Sequence, residues 1–196
     1  MWIPLLSKPQ VFVCHVPLNG QRQKWLREVL DAWFALGAAP QVLTPSSDPI
    51  SFQRDRRIEA EQLGKDFYIV ADDDCLPDTS KEDFISEGLR MLKKHPEFAM
   101  LAPLPSNENI VEWTPDERLD RYKTVSDEEV MEHVSIGGIR FCRKGCLKTY
   151  PPINRELPGY DWIHGDALRK AGKRVGYIRS LRFNHLGAGS STVWNT

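Results

Sequence analysis

Short apolar runs and amphipathic stretches alternate along this chain. The apolar runs are rich in β-branched residues, as buried strands are, and the stretches between them repeat apolar positions at helical spacing. We predict strands at residues 11–16, 40–44, 66–71, 98–104 and 134–143, and a strand pair within 175–183. Helices are predicted at residues 21–36, 51–63, 80–94 and 161–171. This order predicts an α/β fold whose mostly parallel central sheet is flanked by helices and binds ligands at the carboxyl ends of its strands.

The remaining segments are polar or rich in small residues. Residues 106–132 contain few apolar positions, so we expect a mobile excursion or a short helix there. The glycines and serines at 187–191 predict a flexible tail. Because 196 residues fit one domain, we expect a single domain over residues 1–196.

Composition narrows the class of protein. Hydrophobic residues make up 41% and charged residues 27% of the chain, which argues against wholesale disorder. No apolar run approaches the roughly 20 residues that span a membrane, and the first six residues lack the basic start of a secretory signal. We therefore expect a cytoplasmic protein, or one of the host cytoplasm if it is viral. The four cysteines form no Cys-x-x-Cys pair, so we expect free thiols rather than a zinc site.

Charge is unevenly distributed along the chain. Residues 1–139 carry 15 Lys and Arg against 24 Asp and Glu, whereas residues 140–196 carry 11 against 3. The basic part is either an ordinary solvated face or a surface for an anionic partner, such as a diphosphate or a nucleic acid.

Three consecutive aspartates follow the strand predicted at 66–71. Their like charges repel, and the end of a buried strand solvates them poorly. A counter-cation resolves this, and carboxylate oxygens suit Mg²⁺ or Mn²⁺. If the chain stays extended, Asp72 and Asp74 project together and Asp73 points away. The alternative is an acidic turn that caps the following segment.

Residues 68–77 (YIVADDDCLP) resemble the Asp-x-Asp motif of GT-A-fold glycosyltransferases, in particular the family-2-like group. The resemblance implies a single GT-A-like (Rossmann-like) domain, with residues 1–105 as the half that binds the nucleotide-sugar and 106–196 as the acceptor-side half. It implies that Asp72 contacts the donor ribose or the metal and that Asp74 ligates Mn²⁺ or Mg²⁺. Asp73 is expected to contribute to donor binding.

Residues 161–175 are similar to the Glu-Asp…Gly segment of the same family. There the resemblance makes Asp161 the general base, eleven residues before Gly172. The acid that usually precedes this base is Tyr160 here, and Asp166 is a rival base. The bland alternative is that Asp161 is the N-cap of a helix.

Other positions are implied by their place in the family pattern. His185, after the last strand, resembles a histidine that ligates the metal, although a lone histidine is also a common structural residue. Of Arg54, Arg56 and Arg57, the family spacing favours Arg56 as a donor-binding residue; a solvated helix face is the alternative. His15 and Asp48 lie where such folds hold the nucleotide base.

The function implied is a metal-dependent, inverting glycosyltransferase that uses a UDP-sugar and an acceptor hydroxyl. The acceptor is open, and a nucleic-acid base, as in some phage enzymes, is one candidate. A nucleotidyltransferase or a sugar-nucleotide hydrolase on the same fold is the first alternative. The second is a non-catalytic module that binds nucleic acid through its basic part and interleaved aromatic residues (Tyr150, Tyr160, Trp162 and Tyr177).

Overall fold

Strands and helices alternate as the hydrophobic pattern predicts. The computed structural model describes residues 10–17, 19–44, 52–106, 128–133, 135–149 and 160–187. The strands are β1 (Gln10–Cys14), β2 (Gln41–Leu43), β3 (Phe67–Asp72), β4 (Cys75–Pro77), β5 (Phe98–Pro105), β6 (Val130–Glu132), β7 (Ile139–Arg143) and β8 (Arg174–His185). The helices are α1 (Gly20–Ala35), α2 (Phe52–Leu63), α3 (Phe84–Lys94) and α4 (Tyr160–Lys170), with a 3₁₀ turn at Cys146–Thr149.

All the described strands join one mixed sheet in the order β2-β1-β3-β7-β5-β8-β4, with β6 also paired to β8. Pairings β1–β2, β1–β3 and β5–β8 are parallel, and β4, β6 and β7 run antiparallel to their neighbours. The predicted α/β class, with a central sheet between helices, is therefore confirmed, but the sheet is mixed rather than mostly parallel because four of the seven pairings between described strands are antiparallel. The reversed β7 stands between β3 and β5 and brings the loop before it to the carboxyl end of β3.

Two apolar clusters cover the two faces of the sheet. Alternate residues of β3 point to opposite faces, so Ile69 and Ala71 join one cluster while Tyr68 and Val70 join the other. Helices α1 and α3 cover the first face, where Trp33 packs edge-on against Phe84. Helices α2 and α4 cover the second face. Because both faces are buried, the strand reads as one continuous apolar run.

Local side-chain chemistry sets the start of α1. The Asn19 side chain accepts a hydrogen bond of 3.0 Å from the Arg22 backbone N–H and so caps the helix. The apolar face follows at helical spacing, with Leu26, Val29 and Trp33 buried. Gly37, at φ +74°, ends the helix in the left-handed region that glycine adopts most readily. This capped helix carries Arg22 towards the end of β3.

Several predicted boundaries are wrong. Helix α3 begins at Phe84 with Asp83 at its N-cap, because Ser80 instead forms a turn in which its hydroxyl donates to Asp78 Oδ1 (2.6 Å). The strand pair predicted within 175–183 is the single strand β8. The strand predicted over 134–143 begins only at Ile139, and β6 lies in the segment predicted as an excursion. Residues 107–127 and 188–196, including most of the predicted excursion and tail, lie outside the described residues.

Two further expectations from the sequence concern the cysteines and membrane-spanning helices. The four cysteines, all among the described residues, form no disulfide, and all are buried. No helix in the described ranges is long and apolar enough to cross a membrane.

Candidate active site

The aspartate run lies at the carboxyl end of β3. Asp72 is the last residue of the strand, Asp73 and Asp74 form a turn, and Cys75 begins β4. The extended geometry predicted through Asp74 is therefore wrong, because the chain turns to pair β4 with β8. As a result the three carboxylates face different partners.

Asp72 faces two buried guanidinium groups. Its Oδ1 lies 3.5 Å from Arg57 Nη2, and its Oδ2 lies 3.4 Å from Arg140 Nη1. Arg57 comes from α2 and Arg140 from β7, and both side chains are 1% exposed. Arg140 is further fixed by donating to the Gly138 carbonyl at 3.0 Å.

Asp161 meets the same two arginines from the first turn of α4. Its Oδ1 accepts hydrogen bonds from Arg57 Nη1 (2.8 Å) and Arg140 Nη2 (2.9 Å). Burial disfavours the charged carboxylate, but the Arg140 and Arg57 guanidinium groups outweigh it and lower the pKa of Asp161 below its ordinary value. Asp72, Asp161, Arg57 and Arg140 are called the arginine cluster below. Two carboxylates and two guanidinium groups balance in charge within it.

The second oxygen of Asp161 is oriented differently. A Cβ at Gly137 would lie 3.3 Å from Asp161 Oδ2, so this glycine leaves space beside that atom. Among the described residues Oδ2 accepts no hydrogen bond, and the Asp161 side chain is 33% exposed. The two guanidinium groups thus hold one oxygen, while the other has no donor in the described part of the chain.

Asp73 is fully buried and ties β1 and α1 to the turn. It accepts hydrogen bonds from His15 Nδ1 (2.7 Å), the Val16 backbone N–H (2.9 Å) and Arg22 Nη1. The Gln23 side-chain amide lies 2.9 Å from His15 Nε2. We assign the His15 tautomer that carries its proton on Nδ1. Nδ1–H then donates to Asp73 and Nε2 accepts from the Gln23 amide, which satisfies both contacts. His15 and Asp73, both predicted at the donor site, are therefore brought into contact with each other.

Asp74 contacts both the Arg22 guanidinium group and the His185 imidazole ring. Its Oδ2 lies 3.2 Å from Arg22 Nη1 and 3.5 Å from His185 Nε2, while its Oδ1 accepts from the Cys75 thiol at 3.5 Å. Burial opposes its ionisation, but the contacts with His185 and Arg22 lower the pKa of Asp74. One ligand atom from each of Asp74, Cys75 and His185 lies within 4.8 Å of the others. These three residues are called the metal cluster below.

The separation of Asp74 and His185 suits two ligands of one divalent ion. Two ligand atoms at about 2.1 Å from a common ion stand roughly 3.0–3.4 Å apart, close to the 3.5 Å between Asp74 Oδ2 and His185 Nε2. A Cβ at Gly187 would lie 3.0 Å from Asp74 Oδ2 and 3.6 Å from His185 Nε2. A side chain at 187 would crowd both atoms, so glycine there leaves open the space beside them.

The other predicted residues are placed as follows. Arg56 is buried and pairs with Glu59 of its own helix (2.6 Å). The rival base Asp166 pairs with Lys170 at 2.8 Å on α4. Asp161 lies within the first turn of α4 rather than at its N-cap. Asp48 lies outside the described residues.

Sequence reasoning missed two site residues, Arg22 and Arg140, and preferred Arg56 to its neighbour Arg57. Each of the three missed or passed-over arginines is almost fully buried against an aspartate. The premise that the aspartate run needs a metal as its counter-cation is therefore incomplete, because three guanidinium groups already serve Asp72 and Asp73. The only sequence signal for Arg140 was its position beside the Gly137-Gly138 pair.

Neither a known family model nor a curated protein matches this sequence. Solved structures do match its fold. Residues 1–349 of S. aureus TarS, in complex with UDP-GlcNAc, align with a TM-score of 0.60 at 11% identity, over 92% of this chain and 61% of that one. The chain thus spans about three fifths of residues 1–349 of TarS.

Two other solved structures are similar. GalNAc-T7, solved with UDP, GalNAc and Mn²⁺, aligns with a TM-score of 0.53 at 12% identity, over 91% of this chain and 42% of that one. The inositol-1-phosphate CTP transferase from T. maritima aligns with a TM-score of 0.50 at 9% identity, over 91% of this chain and 88% of that one. The chain therefore has the α/β fold of GT-A glycosyltransferases, with its aspartate run at the carboxyl end of β3.

Proposed function

We propose that this chain is a metal-dependent glycosyltransferase that moves a sugar from a UDP-sugar to an acceptor hydroxyl. The observation that carries the proposal is the pairing of Asp74 with His185 around the space that Gly187 leaves, at the ligand-binding end of β3. The fold agrees with it, since TarS was solved with UDP-GlcNAc and GalNAc-T7 with UDP and Mn²⁺.

Guanidinium donors at the site support a diphosphate as its ligand. Arg22, Arg57 and Arg140 gather at the end of β3, and guanidinium groups recognise phosphate oxygens well. A bound divalent ion would supply Lewis-acid stabilisation of the leaving diphosphate. We assign Asp74 and His185 as protein ligands of this divalent ion. Asp72 is assigned to the donor ribose side.

Asp161 is proposed as the general base. A base must be ionised before it accepts a proton, and the two guanidinium groups keep the Asp161 carboxyl ionised. They hold Oδ1, so the acceptor proton goes to Oδ2, beside Gly137. The acceptor oxygen forms its bond to the anomeric carbon as the bond from that carbon to the diphosphate breaks. Attack from the side opposite the diphosphate inverts the configuration in one displacement.

Calorimetric titration tests the donor site. Wild-type protein is titrated with UDP, GDP and their common sugars, with and without Mn²⁺, and compared with Asp74→Asn. We expect metal-dependent binding of one nucleotide that the variant loses. Asp83→Asn is the matched control, because Asp83 is exposed and caps α3 without a side-chain hydrogen bond. If no nucleotide binds, the transferase proposal fails and the nucleic-acid-binding alternative gains.

Kinetics test the base. Asp161→Asn should reduce transfer by about 10²–10⁴-fold per folded molecule, the usual contribution of a general base, while the UDP affinity of the folded variant changes little. Asp166→Asn is the control on the same helix, since Asp166 pairs with Lys170 on the helix surface. Parallel loss of UDP affinity in Asp161→Asn would make that residue part of the donor site instead. Loss of transfer in Asp166→Asn alone would move the base to Asp166.

A nucleotidyltransferase is the second candidate, favoured by the match to the T. maritima CTP transferase over 88% of that chain. The two reactions leave different products. A nucleotidyltransferase releases pyrophosphate, whereas a glycosyltransferase releases nucleoside diphosphate. Chromatography of the products after incubation with nucleotide-sugars or with nucleoside triphosphates therefore separates them.

A further inference from the structure

A thiol stands beside the two residues assigned as ion ligands. The pairing of β4 with β8 sets Cys75 directly opposite His185. Because paired residues of neighbouring strands project from the same face of a sheet, the thiol and the imidazole emerge side by side. Asp74 precedes Cys75, and its carboxylate oxygen accepts from the Cys75 thiol at 3.5 Å.

The surrounding backbone keeps the sulfur in this place. Cys75 is 1% exposed. Gly138 adopts φ +69°, and a Cβ there would lie 3.0 Å from Cys75 Sγ. Within the described ranges, Asp74, Cys75 and His185 are the one group of His, Cys, Asp and Glu side chains close enough to share an ion. Cys14, Cys142 and Cys146 belong to no such group there.

We propose that Cys75 is the third protein ligand of the ion held by Asp74 and His185, and that the site selects a thiophilic divalent ion of the zinc type over Mg²⁺. The inference rests on the metal site of the proposed function and names its class of ion. Mg²⁺ requires oxygen ligands, whereas zinc accepts sulfur, nitrogen and oxygen together. Three protein ligands also leave the open fourth position that catalytic zinc sites use.

Geometry and charge both fit such an ion. Ligand atoms around a tetrahedral zinc ion stand about 3.5 Å apart, so the cluster, whose atoms lie within 4.8 Å, contracts by at most about 1.3 Å on binding. Arg22 is shared with the buried Asp73, so its charge is balanced without Asp74. On binding, the Sγ–H bond breaks, an Sγ–metal bond forms and the proton leaves to solvent. Thiolate and carboxylate then match the two charges of the ion.

Cobalt substitution tests the inference without any assay of activity. Full-length protein is titrated with Co²⁺ under a non-thiol reductant, and near-ultraviolet absorption is followed, because a thiolate ligand gives Co²⁺ a charge-transfer band that carboxylate and imidazole do not. We expect the band to saturate at one ion per chain in the wild type and in Cys142→Ser, a matched buried cysteine. Zn²⁺ should abolish the band, and a large excess of Mg²⁺ should not.

Cys75→Ser should lose the band and bind Co²⁺ about tenfold more weakly or worse, since even outer partners of metal ligands contribute about 10–100-fold. If Cys75→Ser does not fold, Cys75→Ala replaces it. In either case the presence or absence of the charge-transfer band in the wild type tests the thiol ligand. Co²⁺ binding without the band in the wild type would overturn the thiol ligand. No Co²⁺ binding would overturn it too. UDP titration reports separately on the proposed function, so failure of one is distinguishable from failure of the other.

Discussion

Asp72 and Asp74 stand two residues apart, yet they meet the rest of the protein in different ways. Asp72 belongs to the arginine cluster, where two guanidinium groups that are 1% exposed serve two carboxylates. Asp74 belongs to the metal cluster, where Gly187 leaves space beside it and His185 is 32% exposed. Its nearest cation, Arg22, is shared with Asp73.

This difference separates stability from binding. Charges in the arginine cluster are matched inside the protein, so removing one member leaves a buried charge without compensation. Those in the metal cluster are arranged around a space, so removing one member should weaken the binding of a cation more than it weakens folding. Changes in the two clusters should therefore have opposite profiles in unfolding and metal-binding experiments.

Arg140→Met should produce the largest effect on stability. Removing one partner of a buried ion pair costs about 3–5 kcal/mol, and Arg140 contacts both Asp72 and Asp161. Because Asp161 is 33% exposed, water screens part of this loss, and we expect a value of about 3 kcal/mol. Urea unfolding followed by circular dichroism measures it as a lower midpoint at unchanged slope.

Two controls bracket that result. Arg27→Met removes an exposed arginine of α1 and should change the free energy of unfolding by less than about 0.5 kcal/mol. His185→Gln, on the metal cluster, should cost less than about 1 kcal/mol because the ring is partly exposed. Equal losses in Arg140→Met and His185→Gln would contradict the separation of stability from binding.

The second effect is acid sensitivity at the helix that carries Asp161. Burial lowers the pKa of His164 from 6.5 to about 4, while its Nε2–H donates to the Cys146 carbonyl at 3.1 Å. Between these values the unfolded chain is protonated and the folded chain is not, so stability falls as the pH drops from 6.5 towards 4. At about 1.4 kcal/mol per pKa unit, the loss is about 3 kcal/mol.

Urea unfolding at pH 7, 5.5 and 4 measures this loss. His164→Gln should flatten the dependence over that range, since the variant has no proton to bind at this position. His133→Gln is the control. Burial also lowers the pKa of His133, so this variant should lose only the part of the pH dependence that His133 contributes. If wild type and His164→Gln lose stability in parallel, His164 is not the group responsible.

Local pattern explains which elements the sequence predicts. Four helices and the strands β1, β2, β3 and β5 follow from apolar spacing alone, because each buries a face defined within its own segment. Strand β4 has only three residues, one of them Pro77, and exists because β8 lies beside it. Such a strand is fixed by pairing with a segment far away in the sequence, so no local pattern predicts it.

The same limit applies to the site. Asp72, Asp74 and His185 follow strand ends, and strand ends gather at one edge of a sheet, so their proximity was predictable. The arginines reach that edge from α1, α2 and β7, which depends on how helices pack and which strand reverses. Which of Arg56 and Arg57 faces the site depends on the rotation of α2 about its axis. A spacing rule that is off by one residue therefore selects the wrong arginine.

Gly187→Ala should have the smallest effect and separates the two clusters most cleanly. The new methyl would lie beside both ligand atoms, 3.0 Å from Asp74 Oδ2 and 3.6 Å from His185 Nε2, while the arginine cluster stays intact. We expect Mn²⁺ affinity to fall about tenfold, or about 1.4 kcal/mol, with the urea midpoint within about 0.5 kcal/mol of wild type. Gly20→Ala is the control, because a Cβ there meets nothing within 4 Å. Unchanged Mn²⁺ affinity in Gly187→Ala would mean that the ion does not occupy this space, since an ion and a methyl group cannot share it.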